Sequence, residues 1–319
     1  MHEFELIKKF FLKLSNFNKN ALDLNDDIFF DKSKKLAISV DTYIEGTHFI
    51  NFDYPDLVIK KILRSSISDL ICKGVIPKYY FISGSGDKKS FSAKNLKKIS
   101  KSLSQEQKKY SIYLSGGDTT YSKKLSFTIT VIGYSNRIIY RNKAKIHDDI
   151  YVTGNLGDSF IGLMILKKKI NLNNKLTSYF KKSFFFPKLH INFTKKLLSF
   201  ANTSIDISDG LIADLEKLIN KQKVSYKIYL NDVPVSKNLK ELISSKKISK
   251  KSCISQGDDY QILFTAPKSK SGIIHKTCNS LGIKISKIGK ICSPLQKSQI
   301  INEKNVKITI KNKGYFHRF

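Results

Sequence analysis

The sequence predicts an α/β (α+β) protein built from two mixed domains, and three observations predict it. Short β-rich runs of period two alternate with segments of helical periodicity along the whole chain. A polar stretch, Asn142 to Asp148, separates two apolar strand-like runs near the middle. The 319 residues, 41% apolar and 11% aromatic, suffice to fill a core in each half. The division falls at 145/146, giving domains 1–145 and 146–319.

Leu36 to Val40 reads as a short strand ending in Asp41. Pro55 to Gly74 carries a helical pattern, Tyr79 to Ser83 is strand-like, and Ser92 to Lys109 is helical again. Strands follow at Ile112 to Leu114 and Phe127 to Gly133. The second half opens with a strand from Asp149 to Thr153, turns at Gly154-Asn155-Leu156-Gly157, and continues with helices near Asp158 to Lys167 and Pro187 to Phe200. A strand from Ser204 to Ile207 leads into a helix near Gly210 to Asn220, and strand and helix alternate from there on.

Composition narrows the function classes. The net charge of +31 suits a protein that tracks phosphates, yet only Arg64, Arg137, Arg141 and Arg318 are arginine, the residue that base-edge and bidentate phosphate recognition favours. The lysines are therefore read as solvated outward faces, and nucleic acid is not expected as a partner. No apolar run approaches a membrane span, and the start Met1-His2-Glu3-Phe4-Glu5 lacks signal-peptide character, so no membrane partner and a cytoplasmic location are expected. Cys72, Cys253, Cys278 and Cys292 are too scattered for zinc or a disulfide framework.

The acid, by contrast, is placed. Asp26, Asp27, Asp41, Asp69, Asp118, Asp206 and Asp209 stand in short clusters flanked by glycine, serine or threonine, a pattern suited to holding divalent metal against phosphate oxygens. Asp69 lies seven residues after Ile62 on the helix following Pro55, about 20° away on the helical wheel and so inside the apolar stripe. A bare carboxylate there needs a cation or a proton, and a structural salt bridge satisfies it as well as a metal does. In Ile205-Asp206-Ile207-Ser208-Asp209-Gly210, period-two alternation puts Asp206 and Ser208 on one face and lets Asp209 start a helix, which suits Mg²⁺ and phosphate together. An N-cap explains Asp209 alone but neither of its neighbours. Ser39 and Asp41 share a face of their strand, with Val40 between them and His48 soon after. Ser115-Gly116-Gly117-Asp118-Thr119-Thr120 either cradles an anion or is a simple turn. Asp26-Asp27 and Gly257-Asp258-Asp259-Tyr260 say least in isolation. The Walker A, His-Arg-Asp and Asp-Phe-Gly motifs are all missing, so ATP, if used, is held by another architecture.

In their order along the chain these pieces closely resemble the thiamine-monophosphate kinase family. The resemblance is carried by Ala37 to Phe49, Ser68-Asp69-Leu70 with Lys73-Gly74, Ser115 to Thr120, Ile150 to Gly154 with Gly157-Asp158-Ser159, Ser204 to Leu211 and Gly257 to Tyr260, closed by Lys313-Gly314-Tyr315. It covers almost the whole chain. It implies the two-domain fold of the aminoimidazole ribonucleotide synthetase-like superfamily: an N-terminal ATP- and Mg-binding domain whose sheet pairs across a homodimer, and a C-terminal α/β domain. The implied reaction is phosphorylation of thiamine phosphate by ATP to thiamine diphosphate. Several Mg²⁺ ions are implied at Asp27, Ser39, Val40 (through its carbonyl), Asp41, Asp69, Asp118, Asp206 and Asp209, with Asp118 and Asp209 catalytic. The resemblance further implies ATP contacts from Gly117, Asp118, Arg141 and Ser208, and a thiamine phosphate pocket lined by His48, Asp258 and Tyr315; K⁺ is a further candidate cofactor. The chain departs from the family pattern at Asn25 (commonly glycine), Val40 (often threonine), Gln256 (commonly glycine) and Asp258 (usually glutamate).

The chemistry needs no general base, because the attacking phosphate oxygen is already anionic. Aminoimidazole ribonucleotide synthetase-like and selenophosphate synthetase-like enzymes are the alternatives within the superfamily. The reactive cysteine that usually marks the latter's N-terminal segment is missing from the first 71 residues. A basic nucleic-acid-binding protein is the alternative from another class.

Overall fold

Two sheets share one central helix. The computed structural model describes residues 3–15, 18–310 and 312–316; Met1, His2 and Arg318 lie outside the described residues. In chain order the elements are α1 (Glu3–Leu6), β1 (Ile28–Asp31), β2 (Leu36–Ile44), α2 (Pro55–Cys72), β3 (Ile76–Gly86), α3 (Ala93–Tyr110), β4 (Tyr113–Tyr121), β5 (Ser126–Tyr134), β6 (Asp149–Thr153), α4 (Asp158–Leu166) and α5 (Asn174–Phe185). They continue as α6 (Thr194–Leu197), β7 (Thr203–Asp206), α7 (Leu211–Leu218), β8 (Ser225–Tyr229), α8 (Lys237–Ser244), α9 (Lys250–Ile254), β9 (Ile262–Ala266), α10 (Ser271–Ser280), β10 (Ile285–Cys292), β11 (Gln299–Ile301) and β12 (Lys307–Ile308). The α/β class is the one the sequence predicts.

The five-stranded sheet has the order β1-β2-β5-β3-β4, antiparallel except for the parallel pair β3/β4. Phe127, Ile129 and Val131 of β5 point into the core, while Thr128, Thr130 and Ile132 face the other way. The seven-stranded sheet runs β12-β11-β8-β10-β6-β9-β7. Its strands β6, β7 and β9 are buried throughout, because both faces are covered. Ile150 and Val152 enter one apolar cluster, and Tyr151, stacked on Phe264 at 5.3 Å between ring centroids, enters the cluster shared with the five-stranded sheet.

Helix α2 starts with Pro55 in its first turn, where the missing N–H is harmless, and stops before Gly74, whose φ of +80° suits a residue without Cβ. It is buried nearly all round, as a helix between two layers must be. It packs on β2, β3 and β5 on one side and on β7 and α5 on the other, so residues near its C-terminal end face both sheets.

Three segments differ from expectation. The strand at Asp41 runs on to Ile44, so Asp41 is mid-strand and pairs with Ile129. The Ser115 to Thr120 stretch is not a turn: it lies inside β4, paired with β3 in register Gly117↔Ile82 and Asp118↔Ser83. A Cβ on Gly117 would lie 1.9 Å from the Ile82 carbonyl oxygen, so backbone approach to β3 demands this glycine. The helix expected over Pro187 to Phe200 is a 3₁₀ turn at Ile191–Phe193 followed by the short α6. The longer helix is α5, capped by Asn173, whose side chain accepts from Leu176 N at 3.0 Å, and anchored by buried Phe180, Phe184 and Phe185.

Candidate active site

Three stretches distant in sequence are tied together by their backbones at the end of β7. Ile207 N donates to Gln261 O at 2.9 Å, Tyr260 N to Ile207 O at 2.8 Å, and Asp258 N to Ser208 O at 2.8 Å. From the C-terminal end, Tyr315 N donates to Asp209 O at 3.0 Å and Ala213 N to Lys313 O at 3.0 Å. Gly257 lies so close over the loop that a Cβ would meet Ser208 O at 1.7 Å. These bonds hold Asp258 at φ +69° and Tyr260 at φ +50°, a region L-residues seldom occupy, which marks the stretch as conformationally strained.

Opposite this loop, Ser39, Asp41 and Tyr43 of β2 face α2. Ser39 Oγ donates to Ser66 O at 3.3 Å, and Tyr43 Oη shares a hydrogen bond with Ser66 Oγ at 2.9 Å. Asp69 approaches from α2 and Asp206 from β7. Asp27, Asp69 and Asp206 each offer an oxygen, all within 4.8 Å of one another. Burial first, and then the neighbouring carboxylates, raises the pKa of Asp41, raises that of Asp69 strongly, and lifts Asp206 to about 7. Asp27 goes the other way: burial alone would raise it, but Arg141, Lys73 and Lys217 outweigh that and hold it low. Among the described residues Asp41 Oδ2 and Asp206 Oδ2 are buried without a hydrogen-bond partner. Orphaned oxygens in an oxygen-only donor set fit a hard divalent cation.

Cations fringe the cage. Fully buried Lys73 holds Asp26 Oδ1 at 2.9 Å and donates to Ser204 O at 2.9 Å, while Arg141 bonds to Asp27 and donates to Asn25 O at 3.1 Å. Lys61 pairs with Asp258 and lies 3.3 Å from the ring centroid of Phe184. Lys217 pairs with Asp209 and lies 3.3 Å from Asp214 Oδ1.

A cavity of about 720 Å³ joins these groups. Of the sequence-predicted residues, Asp27, Val40, Asp41, His48, Asp69, Arg141, Ser208, Asp209, Asp258 and Tyr315 line it. Ser39 and Asp206 are buried and do not line it, although Asp206 belongs to the carboxylate group. Gly117 and Asp118 do not line it either; they sit on β4, whose nine residues are all exposed. His48 Nδ1 accepts from Ile44 N at 3.0 Å, which puts the proton of the neutral ring on Nε2. Asn25 has φ −115°, open to any residue, so the usual glycine is not required there. Sequence reasoning missed Lys61 and Lys217. Lys61 stands about 200° around the helical wheel from Ile59, opposite the apolar stripe, and so reads as a solvated lysine; it is buried because α2 is covered on both sides. Lys217 stands three residues after Asp214, a spacing that carried a readable signal.

Residues 24–135 match the family model described as AIR synthase related protein, N-terminal domain. The chain is 35% identical over 323 residues to the thiamine-monophosphate kinase of Buchnera aphidicola subsp. Schizaphis graminum, covering 99% of this chain and 98% of that protein. The chain belongs to the thiamine-monophosphate kinase family. The Escherichia coli (strain K12) thiamine-monophosphate kinase is 31% identical over 323 residues, again with 99% and 98% coverage. A solved structure of AaThiL complexed with AMPPCP and TMP has the same fold, with a TM-score of 0.85 and 24% identity over 99% of this chain and 97% of that one. The thiamine-monophosphate kinase resemblance read from the sequence thus holds over 99% of the chain.

Proposed function

We propose that this chain transfers the γ-phosphoryl group of ATP to the phosphate of thiamine phosphate, giving ADP and thiamine diphosphate. The observation that carries the reading is the meeting of Asp27, Asp69 and Asp206 oxygens within 4.8 Å of one another beside a cavity lined by Asp41, Arg141, Lys61 and Lys217. Family membership at 35% identity over the full length supports the same reaction. A phosphate oxygen of the acceptor forms the new P–O bond as the bridging oxygen between β and γ leaves with ADP. No proton is removed, which agrees with a cage rich in carboxylates and cations and without an evident base.

Asp27, Asp41, Asp69 and Asp206 would hold Mg²⁺, with Ser39 and the Val40 carbonyl behind them. Bound there, Mg²⁺ supplies charge neutralisation for two anionic reactants. Arg141, tied to Asp27, faces the nucleotide phosphates together with Ser208. His48, Asp258 and Tyr315 border the acceptor, whose phosphate meets the Lys61 ammonium. K⁺ is a candidate for a further cation requirement. The reaction draws on ATP, which fits the cytoplasm. No helix among the described residues is long and apolar enough to cross a membrane.

Gly117 and Asp118 belong to this chemistry through a second copy of the chain. Strand β4 is a fully exposed edge carrying Tyr113, Leu114 and Tyr121 open to solvent, a surface that natural sheets cover. A homodimer that buries it brings Asp118 toward the partner's cavity, and residues 1–145 then serve as the nucleotide-binding and dimerising domain, residues 146–319 as the C-terminal one.

The test is ADP release from Mg-ATP with thiamine phosphate, thiamine or no acceptor. ADP is expected with thiamine phosphate alone; release at equal rates without it would contradict the assignment.

A further inference from the structure

The carboxylates on the cavity meet two different kinds of counter-charge. Asp27, Asp69 and Asp206 converge on a shared space, and oxygens of Asp41 and Asp206 lack a protein partner. Asp209 does not: the Lys217 ammonium already bonds it. Lys217 rises from the last turn of α7, lines the same cavity, and keeps 15% of its side chain exposed. Beneath it lies Asp214, wholly buried, whose Oδ2 accepts from Asp209 N at 2.9 Å and Gly210 N at 3.0 Å while Oδ1 faces the ammonium at 3.3 Å. Asp214 is thus locked by the loop and holds the ammonium from below, aimed at the carboxylate that fronts the cavity.

We propose that Lys217 is a tethered cation standing where a divalent ion would otherwise bind: it neutralises Asp209 and confines divalent metal to the Asp27–Asp69–Asp206 side. A second cation on the same carboxylate would be repelled by the first at short range in a partly buried site; at Asp27, which Arg141 also bonds, the converging Asp69 and Asp206 offset that repulsion. The chain therefore meets the charge of two anionic reactants with one fewer exchangeable ion than its carboxylates have room for. A purely structural Lys217, serving only as the counter-ion of Asp214, makes a different prediction, because a lone Asp209 then gains no cation when the lysine is lost. The inference rests on the metal-dependent reading proposed above.

Mn²⁺ binding to the full chain, counted by electron paramagnetic resonance with AMPPCP present, separates the cases. Lys217→Met is expected to bind one additional Mn²⁺, or the same number at least about tenfold more tightly, as removal of a like charge beside a carboxylate requires. Lys217→Arg should match the wild type. Unchanged or weaker Mn²⁺ binding in a folded Lys217→Met overturns the proposal. Asp209→Asn provides an arm that does not depend on that variant folding: the count should stay at the wild-type value, and loss of one Mn²⁺ overturns the proposal. Absence of Mn²⁺ binding in the wild type would instead sink the metal reading itself.

Discussion

Lys61 and Asp258, 197 positions apart in sequence, meet with Nζ 2.7 Å from Oδ1 and pin helix α2 to the strained loop before β9. The ammonium is fully buried, whereas Asp258 keeps 27% of its side chain open to the cavity. Tyr260 Oη adds a donor to the same oxygen at 3.2 Å. Charge and its complement are therefore placed side by side where the proposed acceptor is both cationic and anionic.

Lys61→Met keeps the stem but removes the charge. A charge-assisted hydrogen bond is worth about 1.5–3 kcal/mol, so KM for thiamine phosphate should rise roughly tenfold to a hundredfold. KM for ATP should move little. Steady-state kinetics with each substrate varied in turn checks the split; an equal rise in both would place Lys61 in the scaffold.

Metal-free stability should depend on pH with a definite sign. Asp206 is lifted from 3.8 to about 7 and Asp214 from 3.8 to about 6, in both cases by burial first. The folded state therefore binds protons more tightly than the unfolded chain. That stability is fully present below about pH 4 and is lost as pH rises through 6 to 7. With chelator present, these two groups should lower the melting temperature between pH 5.5 and 8, and Mg²⁺ should restore more at pH 8 than at pH 5.5. Thermal melts across that range provide the check, and a Mg²⁺ effect independent of pH would speak against the cage.

Asp118→Asn should leave the melting temperature unchanged, since the residue is exposed on an edge strand. Turnover should nevertheless fall by orders of magnitude if the partner's site uses it. Mixing it with inactive Asp69→Asn and allowing subunits to exchange should restore about a quarter of wild-type activity, because half the dimers then carry one intact site of two. No recovery on mixing would put Asp118 in its own subunit's chemistry.

Gly117→Ala tests the strand itself. With the new Cβ 1.9 Å from Ile82 O, β4 must shift off β3, so a stability loss of at least about 2 kcal/mol is expected by denaturant titration. A neutral result would show that the edge can slide.

Much of this was legible in the sequence. The α2 stripe exposed Asp69 because an ionisable group inside a buried face stands out, and the alternation in β2 put Ser39 with Asp41, whereas β7 ends at Asp206 and leaves Ser208 beyond the strand. What stayed hidden is long-range. The meeting of Asp258 with Ser208 and of Tyr315 with Asp209 is made by backbone hydrogen bonds among loops whose local pattern reads only as turns. The Gly116-Gly117 pair misled for the opposite reason: turn chemistry and close strand approach call for the same residue, and only the β3 pairing tells them apart. Helix α5 was missed because lysines interrupt the phenylalanines that bury it.

The central claim is that one acidic cavity lets two phosphates react, and ³¹P nuclear magnetic resonance of the protein with Mg-ATP and thiamine phosphate tests it most directly. The account predicts thiamine diphosphate resonances growing in equal amount with ADP. Formation of ADP with inorganic phosphate and no diphosphate product would contradict it.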